Sequence, residues 1–183
     1  MGLETEIKIR ITREDLDSTR ARLTELGGSC LAPRQKETNW LFDFPDQNLR
    51  ATGCAVRLRL YGEETLLTFK GQDQNDPRFK KREELESKVG DPDKIKNILQ
   101  HLGMSVCAKY SKFREIYQLS VNQAHVEVCL DETPVGTFAE IEGPASAIED
   151  LAARLDWTPD SFIRRNYLEM YEEAGQLTAD NEM

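Results

Sequence analysis

Histidine is scarce in this chain, with His101 and His125 the only two among 183 residues, and neither sits in a paired metal-ligand spacing. That argues against zinc. Any metal would be held by carboxylate oxygen, which suits magnesium (Mg2+) or manganese (Mn2+). Cysteine is sparse too: Cys30, Cys54, Cys107 and Cys129 are widely spaced and form no C-x-x-C. Cys54 and Cys129 lie in or beside strand-like apolar runs, so they are expected to be reduced core residues of a cytoplasmic protein. No apolar run is long enough to span a membrane, and the N-terminus does not read as a signal peptide. Excess positive charge is also missing. A net charge of −9 and a pI of about 4.9 disfavour non-specific nucleic-acid binding, which needs a net basic footprint. A local basic pocket for a small anion is still compatible with that balance. What remains is a chain that is 39% hydrophobic and 31% charged. It is long enough for one domain with a proper core, and its charge calls for an unusually ionic surface or interior.

The charge is patterned. Leu3, Ile7, Ile9 and Ile11 alternate with Glu4, Glu6, Lys8 and Arg10, a period of two that predicts a strand with one aliphatic and one ionic face. Thr12 with Asp15 predicts a helix start, and Gly27-Gly28 its end. A strand rich in aromatics follows over 36–44. In the strand over 55–61, Arg57 and Arg59 share a face, and Thr68 and Lys70 share one on the return strand over 66–70. The polar segment 71–78 is expected to be a mobile loop able to act as a lid. A charged strand over 79–89 places Lys80, Arg82, Glu84, Glu86 and Lys88 on one side, and its Glu84-x-Glu86-x-Lys88 repeats the spacing of Glu4-x-Glu6-x-Lys8. A helix capped by Asp91 and stopped by Gly103 comes next, as a helix does after the first strand. The chain therefore reads as two halves, each beginning strand–helix, split near Gln74. Further strands carry Tyr110, Lys112 and Arg114, then Glu127, Cys129 and Asp131, then Glu140 and Glu142. Two helices close a single domain spanning 1–174, the second starting after Thr158-Pro159, and residues 175–183 form a polar tail expected to fray.

The ionic faces can be arranged in two ways. They could form a flat wet sheet surface, as charged alternation on half-buried sheets often does. Alternatively, the sheet could close so that the faces line a cavity. Like charges on neighbouring strands repel on an open sheet, whereas in a cavity carboxylates can share a cation and arginine forks can share a polyanion. A site rich in both signs suits a metal–polyphosphate complex, which favours the cavity. Arg10 and Lys88, near strand ends, read as solvated, and Trp40 as core.

The ordered set Glu4-x-Glu6-x-Lys8, Arg57-x-Arg59, Lys70, Arg82-x-Glu84, Arg114, Asp131 and Glu140-x-Glu142 resembles the CYTH superfamily, the triphosphate tunnel metalloenzymes. The likeness runs from Leu3 to about Tyr171. It implies an α+β fold: a closed tunnel of eight antiparallel strands with helices outside. By the same resemblance, Glu4, Glu6, Glu140 and Glu142 would bind divalent metal, with Asp131 assisting and Glu84 supporting. Lys8, Arg57, Arg59, Lys70, Arg82 and Arg114 would grip a triphosphate. A basic residue of the last helix, Arg165 or in another register Arg164, would lie over the tunnel. The family holds triphosphatases, for which Lys8 or Lys70 is the expected aid to water activation, and class IV adenylyl cyclases. A cyclase would need a nucleobase pocket, for which Trp40, Tyr61 and Lys36 are candidates. A non-catalytic polyphosphate sensor is the third reading. The expected partner is a small-molecule triphosphate, with no nucleic acid and no membrane, and a homodimer is left open.

Overall fold

Alternation becomes strand throughout the computed structural model, which describes residues 2–177. The elements in order are β1 (Gly2–Ile11), α1 (Asp15–Glu25), β2 (Ser29–Asp43), α2 (Asn48–Ala51), β3 (Ala55–Tyr61), β4 (Glu64–Lys70), β5 (Lys80–Val89), α3 (Pro92–His101), β6 (Ser105–Val121), β7 (Ala124–Thr133), β8 (Gly136–Glu142), α4 (Ala145–Arg154) and α5 (Tyr167–Glu173). The strands close into a barrel in the order β1-β5-β4-β3-β2-β6-β7-β8. Every neighbouring pair is antiparallel, and closure leaves no unpaired edge. Exchanging β1–β4 for β5–β8 in sequence maps this order onto itself, so the expected two-halved organisation holds at the level of topology, with the division between β4 and β5.

Period-two alternation then sorts the side chains. Outward residues meet helices. Leu16 and Leu23 of α1, with Ile148 and Leu151 of α4, pack on Ile7, Ile9, Val126, Val128 and Ile141. Leu99 of α3 joins Trp40, Phe42 and Leu58. The main apolar cores thus lie outside the barrel wall, and the charged side chains turn into the lumen. α5 behaves differently. Its Tyr167, Met170 and Tyr171 pack with Leu41, Tyr110 and Phe138, residues on the lumen-facing series of β2, β6 and β8, so this helix covers one end of the barrel.

Local signals explain the helix boundaries. Thr12 and Asp15 exchange hydrogen bonds, Thr12 Oγ1 donating to Asp15 Oδ2 at 2.6 Å and the Asp15 amide to Thr12 Oγ1 at 3.2 Å. Asp91 accepts from the amides of Asp93 and Lys94, with Pro92 opening α3.

The structure departs from expectation at four places. β2 begins at Ser29 rather than 36, because register shifts between Cys30, Ala32 and Gln35 absorb Pro33, which has no amide to donate. β6 likewise starts earlier, at Ser105. The short helix α2 was not foreseen; buried Asp43 holds it by accepting from the amides of Phe44, Leu49 and Arg50. The last helix begins at Tyr167, not after Pro159. Pro159–Ser161 makes a 3-10 turn, and the chain then runs extended because its amides find partners on β1: Ile163 donates to the Lys8 carbonyl at 2.7 Å and Phe162 bridges Ile9. Beyond α5, the Gln176 amide donates to the Tyr171 carbonyl at 2.8 Å; residues 178–183 of the expected tail lie outside the described residues.

The outer core gives a direct test. Leu151→Ala, at a fully buried site of α4, should lower unfolding free energy by about 2–5 kcal/mol in urea denaturation. Leu102→Ala, at a position 67% exposed, should leave the midpoint almost unchanged.

Candidate functional site

The lumen is a cavity of about 870 Å³. β1 contributes Glu4, Glu6 and Lys8, β3 Arg57 and Arg59, β4 Lys70, β5 Lys80, Arg82, Glu84 and Glu86, β6 Lys112 and Arg114, β7 Glu127 and β8 Glu140 and Glu142. Each set follows from alternate residues of a strand facing the same way. Both signs occur around the whole wall.

One part of the wall is fully neutralised. Asp131, with no exposed surface, receives Nε and Nη2 of Arg114 at 2.7 and 2.6 Å, Nζ of Lys112 at 2.9 Å and the Tyr167 hydroxyl at 2.6 Å. Arg114 also contacts Glu140, whose other oxygen lies 3.2 Å from Lys8 Nζ. Burial alone would raise the Glu140 pKa, but Lys8, Arg114 and Lys112 outweigh it and hold the group well below the ordinary carboxylate range. Glu37, also without exposed surface, accepts from the Asn39 side-chain amide at 2.9 Å. It lies 3.5 Å from Lys112 and 3.8 Å from both Arg59 and Arg114. Burial again opposes ionisation there, and Lys112 and Arg114 overcome it.

Elsewhere neutralisation is incomplete. Lys70 lies 2.5 Å from Glu84 and 3.3 Å from Glu4, Arg82 3.4 Å from Glu4, and Lys80 3.2 Å from Glu6. Burial lowers the Lys70 pKa, and neighbouring Arg57 lowers it further. Glu6 stands directly across from Glu142, which stands directly across from Glu127, so adjacent strands bring three carboxylates side by side. Glu142 keeps exposed surface on the lumen, though protein atoms enclose much of it. That enclosure, followed by the charges of Glu4 and Glu6, pushes its pKa up to about 8. Two guanidiniums are only partly satisfied: Arg59 Nη2 donates to Glu86 at 2.9 Å, and Arg57 lies 3.6 Å from Glu86 and 3.7 Å from Glu84. The buried Nε–H groups of Arg57 and Arg59 have no hydrogen-bond partner.

The barrel therefore brings Glu4, Glu6, Lys8, Arg57, Arg59, Lys70, Arg82, Glu84, Arg114, Glu140 and Glu142 to one lumen wall, with Asp131 buried behind Arg114 and Lys112. It does not gather the five expected metal carboxylates. Asp131 and Glu140 are taken up by Arg114, Lys112 and Lys8, away from the acid row. Among the described residues, no three histidine, cysteine or acidic side chains are grouped closely enough to hold a metal ion as they stand. Glu4, Glu6 and Glu142 do crowd carboxyl oxygens together, with Glu4 paired to Lys70 and Arg82, Glu6 to Lys80, and Glu142 in no ion pair among the described residues. Oxygen donors of that kind fit a hard divalent cation that displaces the Glu142 proton. Arg165 is not brought over the lumen. Its guanidinium pairs with Glu173, and only its carbonyl faces inward, accepting from Lys8 Nζ at 3.1 Å. Arg164 takes the mouth position instead, 3.0 Å from Asp73 in the loop after β4. Trp40 and Lys36 face outward, with Lys96 Nζ 3.9 Å from the Trp40 ring centroid, and the Tyr61 hydroxyl is spent on the Arg114 carbonyl at 3.2 Å.

Sequence reasoning named Lys80 and Lys112 on the ionic faces but not among the site residues, and assigned no site role to Glu37 or Tyr167. Lys80 and Lys112 sat on the right faces, in register with Arg82 and Arg114, so alternation was a sufficient signal. Glu37 and Tyr167 carried none, because an acid amid aromatics and a tyrosine in an expected helical stripe look like surface and core.

Comparison with known proteins agrees with this geometry. The family model described as the CYTH domain matches residues 2–167. A Methanocaldococcus jannaschii protein named "putative adenylate cyclase" is 29% identical over 178 residues, covering 92% of this chain and 98% of its own. A Vibrio parahaemolyticus structure, also named as a "putative adenylate cyclase", superposes with a TM-score of 0.78 at 20% identity, covering 93% of this chain and 98% of its own. A Hippeastrum structure described as a "putative adenylyl cyclase" with a dominant triphosphatase activity gives a TM-score of 0.71 at 16% identity, covering 93% of this chain and 96% of its own. The last two likenesses concern the fold.

The Glu142 environment predicts a pH signature. With its folded pKa near 8, above the unfolded value of about 4.3, the folded state keeps the proton between those values and loses stability as pH rises through them. In buffer containing a chelator, Glu142→Gln should therefore melt close to wild type near pH 5 and progressively higher than wild type up to pH 9. A melting-temperature difference that stays constant across this range would contradict the assignment.

Proposed function

Since the chain belongs to the CYTH domain family, we propose that it is a divalent-metal-dependent phosphohydrolase whose substrate carries a triphosphate, held in the barrel lumen. The observation that carries this reading is the pair of unpartnered Nε–H groups on Arg57 and Arg59. A buried donor without an acceptor is costly. Guanidinium forks on the wall of a cavity are satisfied by a multiply charged oxyanion.

Lys8, Arg57, Arg59, Lys70, Arg82 and Arg114 bind the phosphates and offset charge that develops on the transferred phosphoryl group. Lys112 and Lys80 extend the same surface. Magnesium or manganese held by Glu4, Glu6 and Glu142 would shield phosphate oxygens and position the chain of phosphates. Water attacks the terminal phosphorus, and the bond to the bridging oxygen breaks so that the remaining di- or pyrophosphate leaves. Lys70, ion-paired with Glu84 and Glu4, is placed to orient the attacking water, whose proton passes to a phosphate oxygen. Arg164 sits at the mouth, where it can meet incoming phosphate. The triphosphatase activity described for the Hippeastrum protein, which shares the fold, points the same way.

A second reading is cyclisation of ATP with loss of pyrophosphate. Supporting it are the apolar part of the lumen wall, where Ala55, Leu41, Ala108 and Leu168 could receive a nucleoside, and the name of the M. jannaschii relative. Products separate the two: orthophosphate plus nucleoside diphosphate for hydrolysis, cyclic AMP plus pyrophosphate for cyclisation.

Inorganic triphosphate, thiamine triphosphate and ATP, each assayed with magnesium and with manganese, should yield orthophosphate from at least one. Arg57→Ala should lower kcat/KM for that substrate by about 10²–10³-fold, and Glu140→Ala, which strands Lys8 and Arg114, should abolish turnover. Absence of phosphate release from all three substrates with both metals, from folded protein, would defeat the hydrolase reading.

A further inference from the structure

Tyr167 is the first residue of α5, and the reciprocal hydrogen bonds of Asn166 and Glu169 fix the helix at that point. The chain just before it is stitched to β1 through the Ile163 amide and the Lys8 carbonyl. Tyr167 is thereby carried to the basic part of the lumen wall. Its ring centroid lies 4.0 Å from Lys8 Nζ and 4.1 Å from Lys112 Nζ. Its hydroxyl donates to Asp131 Oδ2 at 2.6 Å, on the carboxylate that also holds Arg114 through both prongs of its guanidinium.

A core tyrosine with a purely packing role needs one acceptor for its hydroxyl and aliphatic neighbours for its ring. This ring packs edge-on with Phe138 at 5.7 Å and beside Tyr110 at 6.4 Å, and it also meets two ammonium groups. Two such groups at one site repel, and each is a flexible four-carbon arm. Glu140 and Asp131 balance their charge, and the ring's π system restricts where each ammonium can stand. The hydroxyl restricts Asp131 in turn, and Asp131 sets the plane of Arg114.

We propose that Tyr167 is a positioning residue of the triphosphate clamp: its ring fixes Lys8 and Lys112, and its hydroxyl, through Asp131, fixes Arg114. The C-terminal segment thus preorganises cations from β1 and β6 before the polyanion arrives. This inference rests on the functional reading above. Tyr167 itself touches no reacting atom.

Titration calorimetry of inorganic triphosphate into full-length protein, in chelator, tests the clamp without catalysis. Tyr167→Phe keeps the π face but frees Asp131 from the hydroxyl, so it should bind about threefold or more weakly than wild type, while Tyr167→Leu, which loses ring and hydroxyl together, should bind about tenfold or more weakly. In the kinetics of whichever triphosphate is turned over, Tyr167→Leu should raise KM far more than it lowers kcat. A role in folding alone would instead reduce the active fraction, lowering kcat with KM unchanged, and that result would overturn the proposal. Graded fluorination of phenylalanine at position 167 drains the ring's negative face with little change of shape, so it remains informative if the leucine variant fails to fold. Affinity should fall with each added fluorine, and a flat series would overturn the proposal. Wild-type protein that binds no triphosphate would remove the clamp and this inference together. Wild-type binding with no difference among the variants would remove this inference alone.

Discussion

Arg114 meets Asp131 through two hydrogen bonds at 2.7 and 2.6 Å, and the same carboxylate takes Lys112 and Tyr167. A buried ion pair repays its desolvation only when its geometry is good and its remaining lone pairs are used. Asp131 meets both conditions, as does Glu140 between Lys8 and Arg114. Loss of either carboxylate would leave cations buried among cations. The lumen is thus held to one arrangement of its wall by the need to match each buried charge.

That requirement inverts the usual layout of a domain. The apolar burial that opposes chain entropy lies between the outer barrel surface and α1, α3 and α4, leaving the interior available for charge. Closure of the barrel follows from the same pattern. Strands with one aliphatic and one ionic face can cover the first with helices and bring the second together around a common axis, and pairing all the way round removes edges that would otherwise invite association.

Function enters where the matching stops. Glu37, Asp131 and Glu140 are spent on neighbouring cations and act as part of the frame. Arg57 and Arg59 keep unused donors, and Glu142 is crowded by Glu4 and Glu6 until its proton is retained near neutrality. Spare donors in one part of the lumen and crowded carboxyl oxygens in another are complementary to a polyanion and a hard cation bound together. Membership of the CYTH domain family gives the arrangement its chemical context.

Alternation alone was sufficient to determine the strands, their ionic faces and nearly all lumen cations and acids, because a period of two assigns a face without any knowledge of partners. The likeness of that ordered set to the CYTH family implied the closed tunnel. Tertiary structure decided what depends on which strand lies beside which. Pairing of β7 with β6 and β8 put Asp131 against Arg114 rather than beside Glu6. Amide partners on β1 kept 162–166 extended, turning Arg165 away and bringing Arg164 and Tyr167 to the lumen. A sequence states which way a side chain leaves its own strand. The charge it finally faces is set by contacts between residues far apart in the chain, and those exist only once the barrel has closed.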